Sequence, residues 1–190
     1  MNLILASQSP RRKDLLEQFG VKFSVSVLPT IEEVVGEPIS VAKNNAGRKA
    51  LPVSHQNPGA LVIGADTIVT IGREILGKPR DNTEAKHMLQ MLSNGNHDVT
   101  TVVAFAQDGN ILKVFSETTM VYFRDLSEWE IESYVQTGEP LDKAGAYGIQ
   151  GIGGLLVKSI KGCYYNVVGL PMPRLALELR SFGIEVFPSI

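Results

Sequence analysis

The chain of 190 residues contains a single cysteine, Cys163, and no basic stretch near its first residue. One cysteine excludes an intrachain disulfide and a zinc site built from several cysteines. A secretory signal joins a basic segment to a longer apolar one than residues 1–6 provide. We therefore expect a protein of the reducing cytoplasm.

Long apolar runs and a strong charge of one sign are absent as well. The apolar run over 60–65 is closed by Asp66, whereas a membrane-spanning helix needs roughly 20 such residues. No membrane partner is therefore expected. The formal net charge of -2 provides no basic field for a nucleic acid backbone, which argues against that partner too. With 44% hydrophobic residues, the chain can form a sizeable core.

Several common catalytic motifs are also missing. No phosphate loop ends in Gly-Lys-Ser or Gly-Lys-Thr, and no serine lies within Gly-x-Ser-x-Gly. The three histidines, His55, His87 and His97, lack the His-Glu-x-x-His spacing of a zinc site. We interpret them as structural or surface residues.

The order of apolar and turn segments predicts one mixed α/β domain over residues 1–190. Asp108-Gly109-Asn110 predicts a hairpin, Asn82 an N-cap, and Ser127 with Glu130 a capping box. Strands are expected over 2–6, 22–27, 60–71, 97–107, 111–123, 155–160 and 164–169, and helices over 11–19, 39–51 and 83–92, from Ser127 to Gln136, and after Pro171.

The turn over 7–12, which joins the first strand to the first helix, is a candidate anion site. Arg11 and Arg12 lie in the first helical turn, where the partial positive charge of a helix N-terminus disfavours cations. A bound phosphate resolves this conflict, since guanidinium groups and free N–H groups both bind its oxygens. The alternative is that both arginines point to solvent or pair with Asp14 or Glu17.

Asp66 is the first acidic residue after a strongly apolar strand segment. A buried carboxylate must be paired or metal-bound, or lie at the sheet's edge, which favours a functional role. Lys78 and Arg80 follow about a dozen residues later; they are candidates to bind polyphosphate or, equally, members of a solvated turn.

Further candidates lie in three other segments. Glu32 and Glu33 form an acidic pair that suits a divalent ion or an ordinary polar loop. Lys49, on the second helix, would normally be a surface residue. The glycine-rich segment 145–154 permits close approach to a ligand, and Gln150 can contact a base edge. Its alternative is a tight crossover between two lobes. Together these residues predict a nucleotide site.

The chain resembles the Maf family of nucleotide pyrophosphatases across residues 3 to about 172. The matching motifs are ASQSPRR at 6–12, IEE at 31–33, GADT at 64–67, KPRD at 78–81, GEPLDKAGAYGIQG at 138–151 and VGLP at 168–171. The resemblance implies an inosine-triphosphate-pyrophosphatase-like α/β fold, with two lobes around a cleft on a long twisted mixed sheet. It also implies a house-cleaning hydrolase that splits a nucleoside triphosphate into a monophosphate and pyrophosphate with Mg²⁺ or Mn²⁺. Family members are often dimers, so a homodimer is an expected assembly.

The resemblance also implies residue roles. Asp66 matches the family's proton acceptor and Glu33 a second acid, and these two are the expected metal ligands. The expected substrate-binding residues are Ser7, Arg11, Arg12, Lys49, Lys78, Thr67 and Gln150, with Arg11, Thr67 and Gln150 tied to base specificity. The segment before Lys49 departs from the family pattern, so Arg48 is its alternative.

The motif containing Gln150 resembles the branch that acts on dTTP and UTP. The sister branch, which acts on 7-methyl-GTP, is expected to carry Glu at that position. A third alternative is a non-catalytic nucleotide sensor that regulates septum formation. Glu33 and Asp66 argue against pure binding, because acids repel a polyphosphate unless a metal intervenes.

Overall fold

A computed structural model describes residues 2–33 and 35–187, and within these ranges it contains one seven-stranded mixed sheet and six α-helices. The strands are β1 (Leu3–Leu5), β2 (Ser24–Val25), β3 (Leu61–Ile71), β4 (Glu74–Leu76), β5 (Asn96–Gln107), β6 (Asn110–Phe123) and β7 (Val157–Lys161). The helices are α1 (Pro10–Gln18), α2 (Pro38–Gln56), α3 (Asn82–Leu92), α4 (Glu128–Gln136), α5 (Tyr164–Val168) and α6 (Met172–Ser181). Short 3-10 helices occupy Glu139–Asp142, Ala144–Ala146 and Ile152–Leu156.

The sheet has the strand order β2-β1-β3-β5-β6-β7, and β4 pairs with β3 beside it. β1 is parallel to β2 and β3, and the remaining pairs are antiparallel. The predicted β5–β6 hairpin is confirmed. Asp108 and Gly109 have φ values of 50° and 75°, and two positive φ angles are typical of a type I′ turn.

Three apolar clusters cover the sheet, and the middle of β3 lies between them. One contains Leu5 and Ile63 with side chains of α1 and α6, and a second contains Val62 with the alanines of α2. The third includes Val69 with α3 and α4. Neighbouring residues of β3 thus pack in different apolar clusters, since side chains alternate between the two faces of a strand.

Helix α2 lies unusually close to β3 at Gly64. A Cβ atom at this position would lie 2.2 Å from the carbonyl oxygen of Ala46 and 2.9 Å from the Cβ atom of Ala50. Only glycine permits this approach. The approach places Asn45 and Lys49 of α2 beside the end of the apolar segment of β3.

We expect Gly64→Ala to destabilise the protein by about 3 kcal/mol, because the added methyl group overlaps helix α2. Gly47→Ala, within α2 itself, is the matched control. Its Cβ would meet nothing closer than Ile111 Cδ1 at 3.9 Å, so it should stabilise the helix by about 0.5–1 kcal/mol. Urea unfolding measures both free energies. A Gly64→Ala variant as stable as the Gly47→Ala variant would contradict this account.

The mixed α/β class and the predicted capping box at Ser127 and Glu130 are confirmed, but two helix boundaries differ from the prediction. The cap of α3 is Asp81, whose carboxylate accepts from Glu84 N at 2.9 Å, and not Asn82. Helix α2 continues past Pro52 to Gln56. The fully buried Val53 and Ser54 explain this continuation, because packing outweighs the local preference of proline.

The strand predicted over 164–169 is wrong, since this segment forms α5. The cause is tertiary. The buried side chain of Asn166 donates to Val99 O at 2.8 Å and to Thr119 Oγ1 at 3.0 Å, which fastens the short helix to β5 and β6. Gly169, at φ 132°, then ends it.

Candidate active site

A cleft of about 1140 Å³ opens beside β1, β3 and α2. This volume is just above the usual range of small-molecule sites, which suits a nucleoside triphosphate. Each predicted site residue contributes to its lining: Ser7, Arg11, Arg12, Glu33, Lys49, Asp66, Thr67, Lys78 and Gln150. Lys49 lines the cleft and Arg48 does not. The predicted residues therefore line one cleft, although the contacts within it differ in part from the expectation.

The turn between β1 and α1 presents the two predicted arginines differently. Pro10 occupies the first turn of α1, and no acidic residue balances that turn. Arg11 pairs with Asp142 at 3.2 Å, which is neither of the partners considered from the sequence. Arg12 is buried, with 8% of its surface exposed.

Arg12 links three segments that border the cleft: the turn after β1, the middle of β3 and the residue after α5. It donates from Nε to Gly169 O at 2.9 Å, from Nη1 to Ser7 Oγ at 3.2 Å and from Nη2 to Thr67 Oγ1 at 2.9 Å. Burial lowers the pKa of Arg12, while the nearby Asp66 raises it. The guanidinium has five N–H groups, and these three bonds leave two for a ligand.

Asp66 is buried at the base of the cleft and has a partner on each carboxylate oxygen. Lys49 Nζ donates to Asp66 Oδ1 at 2.6 Å, and Asn45 Nδ2 donates to Asp66 Oδ2 at 3.0 Å. The same ammonium lies 2.6 Å from Glu32 Oε1. Burial raises the pKa of Glu32, but Lys49, Lys78 and Arg12 together lower it by more, so that the net pKa lies below the ordinary value. The cation thus bridges two carboxylates.

Glu33 lines the cleft, but its carboxylate is directed to α2. Its Oε1 accepts from Arg48 Nη2 at 2.5 Å, and its Oε2 accepts from Asn44 Nδ2 at 2.9 Å. The backbone of Glu33 is held by Asn45, which accepts from its N–H at 2.7 Å and donates to its carbonyl at 2.9 Å. Glu32, and not Glu33, therefore shares a cation with Asp66.

Asn45 and Lys143 are site residues that the sequence analysis did not single out. Asn45 lies in the helical segment that departs from the family pattern, and an asparagine inside a helix was the available signal. Lys143 lines the cleft and donates to Asp142 Oδ1 and to Glu139 O, both at 2.6 Å. Asp142 also contacts Arg11. This acidic residue therefore joins two cations at the cleft edge.

Lys78 and Gln150 are the most accessible of the predicted site residues. Both are exposed and both line the cleft. Within the ranges that the structure covers, neither side chain has a hydrogen-bond partner. The ammonium of Lys78 and the amide of Gln150, which are distant in sequence, are thus both available to a ligand in the cleft.

The carboxylates suit a metal that arrives with a polyphosphate better than a metal held by protein alone. Among the described residues, no three His, Cys, Asp or Glu side chains are grouped to hold a metal ion. Asp66 and Glu32 nevertheless both contact Lys49 Nζ, so these two carboxylates already form a site for one positive charge. Mg²⁺ is commonly bound by one or two carboxylates and completed by substrate phosphates.

His97, at the start of β5, is a core residue. Its Nε2 lies 2.8 Å from Tyr147 Oη, its ring packs edge-on against Phe123 and Tyr147, and its Nδ1 is buried without a partner among the described residues. Burial lowers the pKa of His97 to about 4. The neutral imidazole is therefore the form that the fold accommodates.

We expect His97 to make the protein less stable in acid. Its pKa is about 4 in the folded chain and 6.5 in a model peptide, so protonation favours the unfolded chain as the pH falls between these values. The loss reaches about 3 kcal/mol at pH 4 and about 2 kcal/mol at pH 5. Urea unfolding at pH 7 and pH 5 tests this against His97→Gln, which stays neutral. An equal pH dependence in both proteins would contradict the assignment.

The family profile described as Maf-like protein matches residues 2–182. The chain belongs to the Maf family. Among Maf relatives, the dTTP/UTP pyrophosphatase of Symbiobacterium thermophilum is 50% identical over 187 residues, which are 97% of this chain and 96% of that protein. The dTTP/UTP pyrophosphatase of Bacillus cereus strain AH820 is 50% identical over 188 residues, covering 97% of each chain.

The structural comparison agrees with the fold expected of a Maf protein. A solved HAM1 protein from Coxiella burnetii aligns with a TM-score of 0.56 at 14% identity, covering 95% of this chain and 99% of that chain. The predicted inosine-triphosphate-pyrophosphatase-like fold is thereby confirmed. No helix in the described part of the chain has the length and apolar character needed to cross a membrane.

Proposed function

We propose that this Maf protein hydrolyses dTTP and UTP, releasing the nucleoside monophosphate and pyrophosphate. The observation that carries the proposal is the buried Asp66 carboxylate, held by Lys49 and Asn45 at the base of a nucleotide-sized cleft. Two relatives that are 50% identical to this chain over nearly their whole length are named dTTP/UTP pyrophosphatase. Site and relatives together support this reaction.

In the proposed reaction, Asp66 accepts a proton from the attacking water. Asn45 orients the carboxylate through Oδ2, while Oδ1 is occupied by Lys49. A bound triphosphate attracts the Lys49 ammonium. When the ammonium moves from Asp66 Oδ1 to a phosphate oxygen, Oδ1 becomes available to accept the proton of the water. Lys49 thus has two anionic partners in succession, which couples substrate binding to activation of the base.

The triphosphate is bound by cations from three segments. Arg11 and Arg12 lie at the N-terminus of α1, Lys78 follows β4, and Lys49 projects from α2. Several fixed positive charges around a polyphosphate stabilise the charge that develops as the leaving pyrophosphate departs. Ser7, which accepts from Arg12 and from Ser9 N, holds the turn beneath them.

A divalent cation, Mg²⁺ or Mn²⁺, is part of the proposal. When bound, it neutralises phosphate charge and assists in-line displacement. Asp66 and Glu32 are the carboxylates that would hold it, because both already contact one cation. Glu33, the ligand expected from the resemblance, stays a prediction that requires release of Arg48 and Asn44.

Base selection is assigned to Gln150, Thr67 and Arg11. The exposed amide of Gln150 offers both a donor and an acceptor to a pyrimidine edge. Thr67 acts through Arg12, since its hydroxyl lies 2.9 Å from Arg12 Nη2 and 2.9 Å from Thr101 Oγ1. Gln150 favours pyrimidine substrates over the 7-methyl-GTP of the sister branch.

The substrate proposal is tested by turnover of dTTP, UTP, CTP, GTP, ATP and 7-methyl-GTP with Mg²⁺ or Mn²⁺. We expect the highest kcat/KM with dTTP and UTP. A preference for 7-methyl-GTP would assign the chain to the sister branch and overturn the role of Gln150. Binding of nucleotides without turnover would favour the non-catalytic sensor. A cytoplasmic location and a homodimer stay predictions, the latter tested by sedimentation.

A further inference from the structure

Glu139 lies beside the glycine-rich segment in the lining of the cleft and accepts hydrogen bonds on both carboxylate oxygens. Its Oε1 accepts from Tyr134 Oη at 3.0 Å and from Gly153 N at 3.2 Å. Its Oε2 accepts from Ile152 N at 3.1 Å. A carboxylate that accepts from backbone N–H groups makes stronger hydrogen bonds than a neutral acceptor. Glu139 therefore fastens one end of the glycine-rich segment.

Tyr134, on α4, fastens the other end. Its hydroxyl accepts from Gly148 N at 3.2 Å while it donates to Glu139. Burial raises the pKa of Tyr134, so its phenol keeps the proton that it donates. The backbone N–H groups of Gly148, Ile152 and Gly153 thus all depend on one Tyr–Glu pair.

The glycines of this segment are required by how closely the backbone surrounds that pair. A Cβ atom at Gly151 would lie 2.5 Å from Glu139 Oε2, and one at Gly153 would lie 2.5 Å from Tyr134 Oη. A side chain at either position would displace the pair, and one at Gly153 would also lie 2.7 Å from the carbonyl oxygen of Gly148. Gly151 and Gly153, in particular, and the Tyr–Glu pair form one unit, while Ile149, Gln150 and Ile152 keep their side chains.

The cleft side of this unit carries Gln150. Its amide is exposed in the cleft, between the Gly148 contact and the Ile152 contact. Within the described residues, no hydrogen bond holds that amide itself, so its position depends on the backbone on either side. Glu139 and Tyr134 supply the contacts that fix that backbone.

We propose that Glu139, together with Tyr134, is a positioning residue for base selection, which holds the segment 148–153 so that Gln150 meets the base. The proposal rests on the proposed function, because it assigns a role in selecting the pyrimidine. Glu139 acts through backbone N–H groups and not by contact with the phosphates. Its loss should therefore affect KM and substrate preference more than kcat.

Glu139→Gln tests this role because it keeps the side-chain shape and removes the charge. Its amide NH2 group, a donor, would then face backbone N–H groups, which are donors too. We expect the KM for dTTP to rise and the preference for dTTP over CTP to fall, each about tenfold, with kcat within about threefold. Tyr134→Phe removes only the hydroxyl and should shift the preference in the same direction. Glu132→Gln, an exposed residue of α4 paired with Lys86, is the matched control and should change neither.

A double-mutant cycle with Gln150→Ala separates positioning from general structural damage. If Glu139 acts through Gln150, adding Glu139→Gln to Gln150→Ala should lower the preference by no more than about twofold. Fully additive losses would overturn the positioning role, as would a single variant Glu139→Gln that keeps the preference and KM of the original chain. Absence of dTTP and UTP turnover in the unaltered chain would instead refute the proposed function itself. Thermal unfolding of each variant shows that the fold is retained, and Tyr134→Phe carries the test if Glu139→Gln does not fold.

Discussion

Asp66→Asn lowers the kcat for dTTP by about 10³-fold, the usual contribution of a positioned general base, while dTTP still binds. The amide has nearly the same shape as the carboxylate, but its single oxygen can accept from only one of the two donors, Lys49 Nζ and Asn45 Nδ2. It cannot accept a proton from water, and the chemical step is therefore lost. Steady-state kinetics gives kcat, and calorimetric titration gives the affinity of the variant for dTTP.

Asp125→Asn is the control for Asp66→Asn, because Asp125 is exposed and lies outside the cleft lining. It should leave kcat and binding unchanged. Loss of dTTP binding together with activity in Asp66→Asn would limit the carboxylate to metal binding or structure and remove the basis for its role as proton acceptor. Retained turnover would exclude Asp66 as the proton acceptor.

Arg12→Lys is the second large effect, and we expect it to lower kcat/KM by about 10²-fold and stability by about 3 kcal/mol. The guanidinium of Arg12 reaches Ser7, Thr67 and Gly169 at the same time, which joins three segments that border the cleft. A lysine ammonium cannot span these three acceptors. Buried acceptors then lose their donors, and the phosphate loses its planar partner.

Steady-state kinetics and urea unfolding measure the two effects of Arg12→Lys separately. Arg180→Lys, in an exposed pair with Glu185, is the matched control and should be close to neutral in both. If the kcat/KM of Arg12→Lys stays within about threefold of that of the unaltered chain, the three hydrogen bonds of the guanidinium are not needed for activity.

The proximity of the predicted site residues follows from local sequence and from sheet topology. The anion-binding turn over 7–12 follows β1, and Asp66 lies near the end of the apolar segment of β3. These two strands are parallel neighbours, with Leu5 paired to Ile63. The turn that follows Leu5 therefore lies beside the part of β3 that follows Ile63, which brings the predicted cations and Asp66 together.

The detailed arrangement depends on tertiary packing that the sequence does not express locally. Lys49 reaches Asp66 because α2 approaches β3 at Gly64. Its second acid is Glu32, since the Glu33 carboxylate is held by Arg48 and Asn44. The same applies to α5, which was predicted as a strand. Its helical form depends on hydrogen bonds from Asn166 to residues of two distant strands.

The products formed from dTTP test the central claim most directly. Chromatography of a reaction with Mg²⁺ separates thymidine mono- and diphosphate, and a coupled assay distinguishes pyrophosphate from phosphate. The account predicts dTMP and pyrophosphate in equal amounts, both formed about 10³-fold more slowly with Asp66→Asn. Formation of dTDP and phosphate would contradict it, because the cleft would then cleave the terminal phosphate and not the bond between the α and β phosphates.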